Sequence, residues 1–145
     1  DWEYSSKSKP TDSEYWCVRI GDWTCPWNRQ LAKEKESKHL SWIEQSQTIH
    51  EIGSTFTVQG FDLYYVGVII GPSVKYRDGK IIFDISESKN KSAVQNRKLE
   101  SGEMINYGET LLRNELNVLL TRGVNGLYVY AVDEELQQAL KNATK

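Results

Sequence analysis

Two apolar runs rich in β-branched and aromatic residues constrain this chain more than anything else in it. Tyr65 to Gly71 reads Tyr-Val-Gly-Val-Ile-Ile-Gly, and Leu127 to Val132 reads Leu-Tyr-Val-Tyr-Ala-Val. A continuous run of this kind suits a strand buried on both faces, as in a parallel sheet covered by helices. Between them, Glu103 to Thr121 reads as a helix. Ile105, Leu112, Leu116, Leu119 and Leu120 recur at helical spacing, and Arg113, Asn114 and Asn117 lie off that stripe. Gly123 is a natural stop after it, Asn125-Gly126 makes a turn, and Asp133 can cap a last helix from Glu134 to about Asn142.

The earlier part of the chain has a different texture. All five tryptophans fall there: Trp2, Trp16, Trp23, Trp27 and Trp42. Tyr15 to Ile20 and Trp23 to Trp27 read as a hairpin about Gly21-Asp22, with Pro26 confining the second strand to an edge or a short length. Arg29 to His39 reads as an exposed connection or short helix, where Lys33, Lys35 and Lys38 alternate with Glu34 and Glu36 as a mixed solvated face. Ile49 to Thr55 reads as a strand and Phe56 to Phe61 as a turn or helical segment. Arg77-Asp78-Gly79-Lys80 is a turn before a short strand from Ile81 to Ile85, and Ser86 to Gly102 reads as a mobile insertion. The order strand, short helix, strand, insertion, helix, strand, helix implies an α/β sandwich. The expectation is one domain over 1–145, with an aromatic-rich hairpin and connection over 1–48 and a core over 49–145.

Hydrophobic residues make up 39% of 145, enough for a real core, which excludes disorder of the whole chain. The net charge of -2 lacks the basic excess of a free-standing nucleic-acid binder, so any such contact is local or shared with another domain. No apolar run approaches the ~20 residues of a membrane span. Two cysteines and no visible signal peptide point to the cytoplasm, and a start on Asp1 reads as a segment of a longer protein.

Two polar elements carry candidate chemistry, and both are expected near the carboxyl ends of strands, where ligands of open α/β sheets bind. In Thr121-Arg122-Gly123, the guanidinium is a permanently charged, planar fork that matches phosphate oxygens and can neutralise charge during phosphoryl transfer. The same arginine equally suits the last carbonyls of its helix. In Thr57-Val58-Gln59-Gly60-Phe61-Asp62, Gly60 permits a tight turn or a close backbone approach. Gln59 and Asp62 can bond a nucleotide's edge, with the carboxylate the better acceptor for ribose hydroxyls. The bland alternative is a solvated turn.

Together the two elements resemble something specific. Ser54-Thr55-Phe56-Thr57-Val58-Gln59-Gly60-Phe61-Asp62, with the strand Val66 to Gly71, resembles motif V of superfamily 1 helicases. Asn117-Val118-Leu119-Leu120-Thr121-Arg122-Gly123, with Leu127 to Ala131, resembles motif VI. Including Asp1 to Tyr4 and Trp27-Asn28, nearly the whole chain resembles a bacterial ATPase family described as having a Schlafen group 3-like DNA/RNA helicase domain. The resemblance implies a three-layer RecA-like sandwich with a mostly parallel sheet, the C-terminal half of an ATP-dependent helicase or translocase. It implies Arg122 at the γ-phosphate, Gln59, Gly60 and Asp62 at the nucleotide, and Ser54, Thr55 and Thr57 at DNA or RNA. Relatives carry Glu more often than Asp at the position of Asp62, and some carry a polar residue at that of Phe56.

What the chain lacks matters equally. It holds no G-x-x-x-x-G-K-[ST] phosphate loop, and Asp84 after Ile81-Ile82-Phe83 has no loop lysine to work with. ATP and Mg²⁺ are therefore expected only in the full-length protein, bound by an N-terminal RecA-like domain, with no turnover and no bound cofactor in this chain alone. Cys17, Cys25, His39 and His50 match no common zinc spacing, so no metal site is expected. The competing reading is a non-catalytic α/β module that binds protein or single-stranded nucleic acid through exposed tryptophans. Packed beneath the hairpin, the same tryptophans form a satellite apolar cluster instead.

Overall fold

The computed structural model describes residues 2–5, 7–31, 35–37 and 39–144. They form two compact units, Trp2–Phe61 and Asp62–Lys145.

In the first unit, β1 (Cys17–Ile20) and β2 (Trp23–Pro26) pair antiparallel as the sequence suggests. Gly21 takes a φ of +54° at the first turn position, the conformation that lets a two-residue loop follow the strand twist. The expected strand from Ile49 to Thr55 does not form. Ser46–His50 is a 3-10 turn, and only Ile52 is extended, in a parallel bridge to Trp27. Short polar side chains explain the difference, because they bond locally and favour turns. The Thr48 hydroxyl, for example, donates to the Gln45 carbonyl at 2.7 Å. A one-turn helix, α1 (Thr55–Val58), follows. Val18, Trp27, Thr57 and Val58 are buried here, and Trp2 and Tyr4 meet Trp27 edge-on. The charged face expected around Lys33, Glu34 and Lys38 lies outside the described residues.

The second unit begins with β3 (Leu63–Ile70) and a hairpin of β4 (Val74–Arg77) and β5 (Lys80–Phe83). Asp78 and Gly79 both take positive φ, +50° and +76°, the backbone a tight hairpin turn requires. Then come α2 (Lys91–Val94), a short pair of β6 (Arg97–Lys98) and β7 (Met104–Ile105), α3 (Gly108–Leu120), β8 (Gly123–Ala131) and α4 (Glu134–Ala143). The helix expected from Glu103 starts only at Gly108, because Met104 and Ile105 pair with Lys98 and Arg97. The Asn106 carboxamide then accepts from the Gly108 amide at 2.7 Å. The segment read as a mobile insertion is built structure: Asn90 caps α2 and donates to Glu115 of α3.

β3 and β8 are parallel, with Val66 opposite Leu127, Val68 opposite Val129 and Ile70 opposite Ala131. Here the expected architecture fails. Among the described residues the strands form four two-stranded sheets, and only β3–β8 is parallel. This is not a three-layer RecA-like sandwich with a mostly parallel sheet. Val68, Ile70 and Ala131, with Val66 and Val129, pack against Leu116, Leu119 and Leu120 of α3 and Leu136 and Leu140 of α4 in one core. Side chains alternate along a strand, so Tyr65, Tyr128 and Tyr130 point the other way and stay exposed. Tyrosine makes an apolar run look buried on both sides, yet its hydroxyl lets the ring sit at a wet surface.

Candidate functional site

The C-terminus of α3 sets the site. Leu112 is buried and Leu116, Leu119 and Leu120 join the core, which orients the end of the helix. A helix leaves its last carbonyls unpaired. The Thr121 hydroxyl donates to the Asn117 carbonyl at 2.8 Å, and Arg122 Nε donates to the Val118 carbonyl at 2.9 Å. Arg122 Nη2 reaches the Thr121 hydroxyl at 3.1 Å. The bland role of this arginine is thus realised: it closes its own helix.

It also does something else. The Arg122 carbonyl accepts from the Leu63 amide at 2.9 Å, which ties the start of β3 to the start of β8. Beside that bond, Arg122 Nη1 lies 3.9 Å from Asp62 Oδ1, with the arginine side chain 21% exposed and the aspartate 80% exposed. The pair sits at the amino ends of the two parallel strands, not at the carboxyl ends where the sequence order suggested it. Both elements precede their strands, so the strand direction decides this.

Gly123 does not act as a left-handed helix stop, since its φ is not positive. A Cβ there would lie 2.5 Å from the Gly126 carbonyl oxygen. The register shift at the start of the β3–β8 pair brings these two glycines together.

The remaining candidates belong to the first unit. Gly60 turns the chain at φ +87° with open space around it, and Gln59 is exposed, its amide closing α1 on the Thr55 carbonyl at 2.9 Å. Ser54 and Thr57 are buried. Ser54 donates to the Asn28 carboxamide oxygen at 2.9 Å and Thr57 to the Ser54 carbonyl at 2.8 Å. Thr55 is half-buried, and the side chain turned outward is Phe56, at 73% exposure. The structure therefore brings together Asp62 and Arg122, while the serine and threonine hydroxyls of Ser54 and Thr57 serve local structure.

Several groups escaped the sequence reading. Glu51 is buried; its carboxylate accepts from the Gln30 amide and, at 3.0 Å, from Trp42 Nε1. Only the capping part of Asp133's role was foreseen. It also holds Arg77 in a two-point ion pair at 3.0 and 2.8 Å. The Arg77 guanidinium, helped by backbone amides of Leu136 and Tyr76, draws its carboxyl down to about 2. Asp84 is likewise drawn to about 2, by Lys75 at 2.7 Å and by Ser86. A cavity of about 400 Å³ beyond the carboxyl ends of β3 and β8 is lined by Pro72, Lys75, Arg77, Asp133 and neighbours; within it Arg77 pairs with Asp133 and Glu135, and Lys75 pairs with Asp84 outside the lining.

Among the described residues, no three His, Cys, Asp or Glu side chains converge as metal ligands. Cys25 points to the His50 carbonyl and Cys17 to that of Tyr15, and burial pushes the Cys25 thiol up. Of the tryptophans only Trp23 is largely exposed. Trp27 is buried, and Trp16 and Trp42 bond through their indole N–H groups. No helix among the described residues is long and apolar enough to cross a membrane.

Of the two motif-like segments, the one before β8 and the one before β3 thus meet through Arg122 and Asp62 at the amino ends of the parallel pair. The family model for the Schlafen group 3 DNA/RNA helicase domain matches residues 1–133, and the chain belongs to that family. It is also 37% identical over 136 residues to the uncharacterized protein YPL245W of Saccharomyces cerevisiae, an alignment covering 92% of this chain and 29% of that relative. This relative is a yeast protein, whereas the sequence resemblance pointed to bacteria. No solved structure matches.

Proposed function

We propose that this chain supplies the arginine-bearing part of an ATP-driven DNA or RNA helicase or translocase of the cytoplasm. A separate domain with a phosphate loop binds ATP and Mg²⁺, and Arg122 meets the γ-phosphate when that domain closes on it. The chain alone then turns over no nucleotide. What supports the reading, beside the family, is the pairing of Arg122 with a largely exposed carboxylate at 3.9 Å. The Val118 carbonyl, the Thr121 hydroxyl and the Leu63 amide are among the groups that hold the arginine, and Nη1 lies 3.9 Å from a hydrated acid. A guanidinium so arranged accepts an oxyanion without refolding, and it is the right group for charge that builds up in phosphoryl transfer. Gln59 and Gly60 are assigned to the nucleotide side. Thr55 keeps a place on the nucleic-acid side that Ser54 and Thr57 lose to their own hydrogen bonds. The module reading needs tryptophans exposed together and finds only Trp23 largely so.

The test is turnover by the full-length protein. Arg122→Ala is expected to lower ATP hydrolysis about a thousandfold, the scale of a lost transition-state arginine. It also costs stability, about 0.5–1 kcal/mol for the lost bond to the helix end. Arg122→Lys keeps the charge but loses the fork, and should stay far below wild type. A wild-type rate in a folded Arg122→Ala protein would remove the role.

A further inference from the structure

We propose that Asp62 is a releasable counter-ion of Arg122, a carboxylate that keeps the guanidinium aimed at the amino ends of β3 and β8 until a phosphate-type oxyanion takes its place. This deepens, and rests on, the reading of Arg122 as a phosphate-contacting group, and it gives Asp62 a different part from the ribose contact that the motif resemblance implies.

The geometry separates holding from aiming. Arg122 Nε is fixed by the Val118 carbonyl at 2.9 Å and Nη2 by the Thr121 hydroxyl at 3.1 Å, both from its own helix end. The Leu63 amide on the Arg122 carbonyl, at 2.9 Å, sets the backbone next to Asp62 against the arginine. The carboxylate at 3.9 Å from Nη1 is too far for a hydrogen bond. Its attraction is Coulombic, and at 80% exposure it keeps most of its hydration when it swings away. Leaving therefore costs little. A phosphoryl group brings more charge and more acceptor oxygens than one carboxylate, and it binds where Asp62 now stands without moving the anchored part of the arginine.

The experiment uses the 145-residue chain and follows the Arg122 Nε–Hε correlation by NMR during titration with pyrophosphate at low salt. Arg122→Ala, which lacks that signal, is followed through the Leu63 backbone amide beside it and should show no saturable shift. Asp62→Asn should tighten pyrophosphate about three- to tenfold, the effect of removing one unit charge about 4 Å away in a near-aqueous setting. The gain should shrink as salt is raised. A merely structural aspartate would, when removed, loosen the site. Equal or weaker binding of both pyrophosphate and a ten-residue oligothymidylate by Asp62→Asn would overturn the proposal, as would the absence of any Arg122-dependent binding of either. A parallel titration with a ten-residue oligothymidylate identifies the source of the oxyanion. Tightening there and not with pyrophosphate keeps the counter-ion and assigns it to a nucleic-acid backbone. Turnover by full-length Arg122→Ala decides the nucleotide reading separately, so either idea can fail alone.

Discussion

Asp133 joins three parts of the second unit, and replacing it with alanine gives a prediction whose size can be worked out. Its Oδ1 accepts from the Leu136 amide at 2.9 Å, which caps α4, and from the Tyr76 amide at 3.2 Å, which fastens β4. Both oxygens accept from Arg77. The carboxyl falls from 3.8 to about 2. Taken whole, that shift corresponds to about 2.4 kcal/mol at 1.36 kcal/mol per unit. Arg77 is 40% exposed, so solvent screens the pair and about 1–2 kcal/mol is the better figure. The lost cap adds about 1 kcal/mol. Asp133→Ala should thus cost about 2–3 kcal/mol at neutral pH, and Asp133→Asn, which keeps an acceptor for the cap, roughly half of that. The folded carboxyl is the stronger acid, so its stabilisation is complete above the unfolded value near 3.8. It is lost as pH falls through about 2. Urea unfolding followed by far-UV circular dichroism at several pH values measures both effects. A cost below about 0.5 kcal/mol at neutral pH, or a cost for Asp133→Ala that does not shrink from pH 4 to pH 2, would refute the reasoning.

Three further substitutions test the packing. Gly123→Ala forces a methyl to within 2.5 Å of the Gly126 carbonyl and should cost about 1–3 kcal/mol, whereas Gly67→Ala, with nothing within 4 Å, should change the unfolding midpoint little. Glu51→Gln offers one acceptor oxygen where the Gln30 amide and Trp42 Nε1 each need one. A loss of about 1–3 kcal/mol and a red-shifted tryptophan emission are expected, read by fluorescence-detected unfolding.

Much of this protein is written locally. The turns at Gly21-Asp22 and Asp78-Gly79, the Asp133 cap and the leucine stripe of α3 follow from backbone preference and neighbours within a few positions. They are found where the residues put them. The Val-Gln-Gly and Leu-Thr-Arg-Gly cores likewise carried the family, because short motifs survive without reference to the rest of the fold. Three things were not local. The number of strands beside β3 and β8 depends on which distant segments reach their edges, and no periodicity encodes that. Which face of Tyr65 and Tyr128 meets solvent depends on where α3 and α4 dock. The use of Ser54, Thr57 and Arg122 depends on partners that only folding supplies. Hydroxyls and guanidinium groups bond whatever acceptor the closed chain brings within reach, so the same residue types read equally well as a site or as a clasp until the tertiary structure chooses.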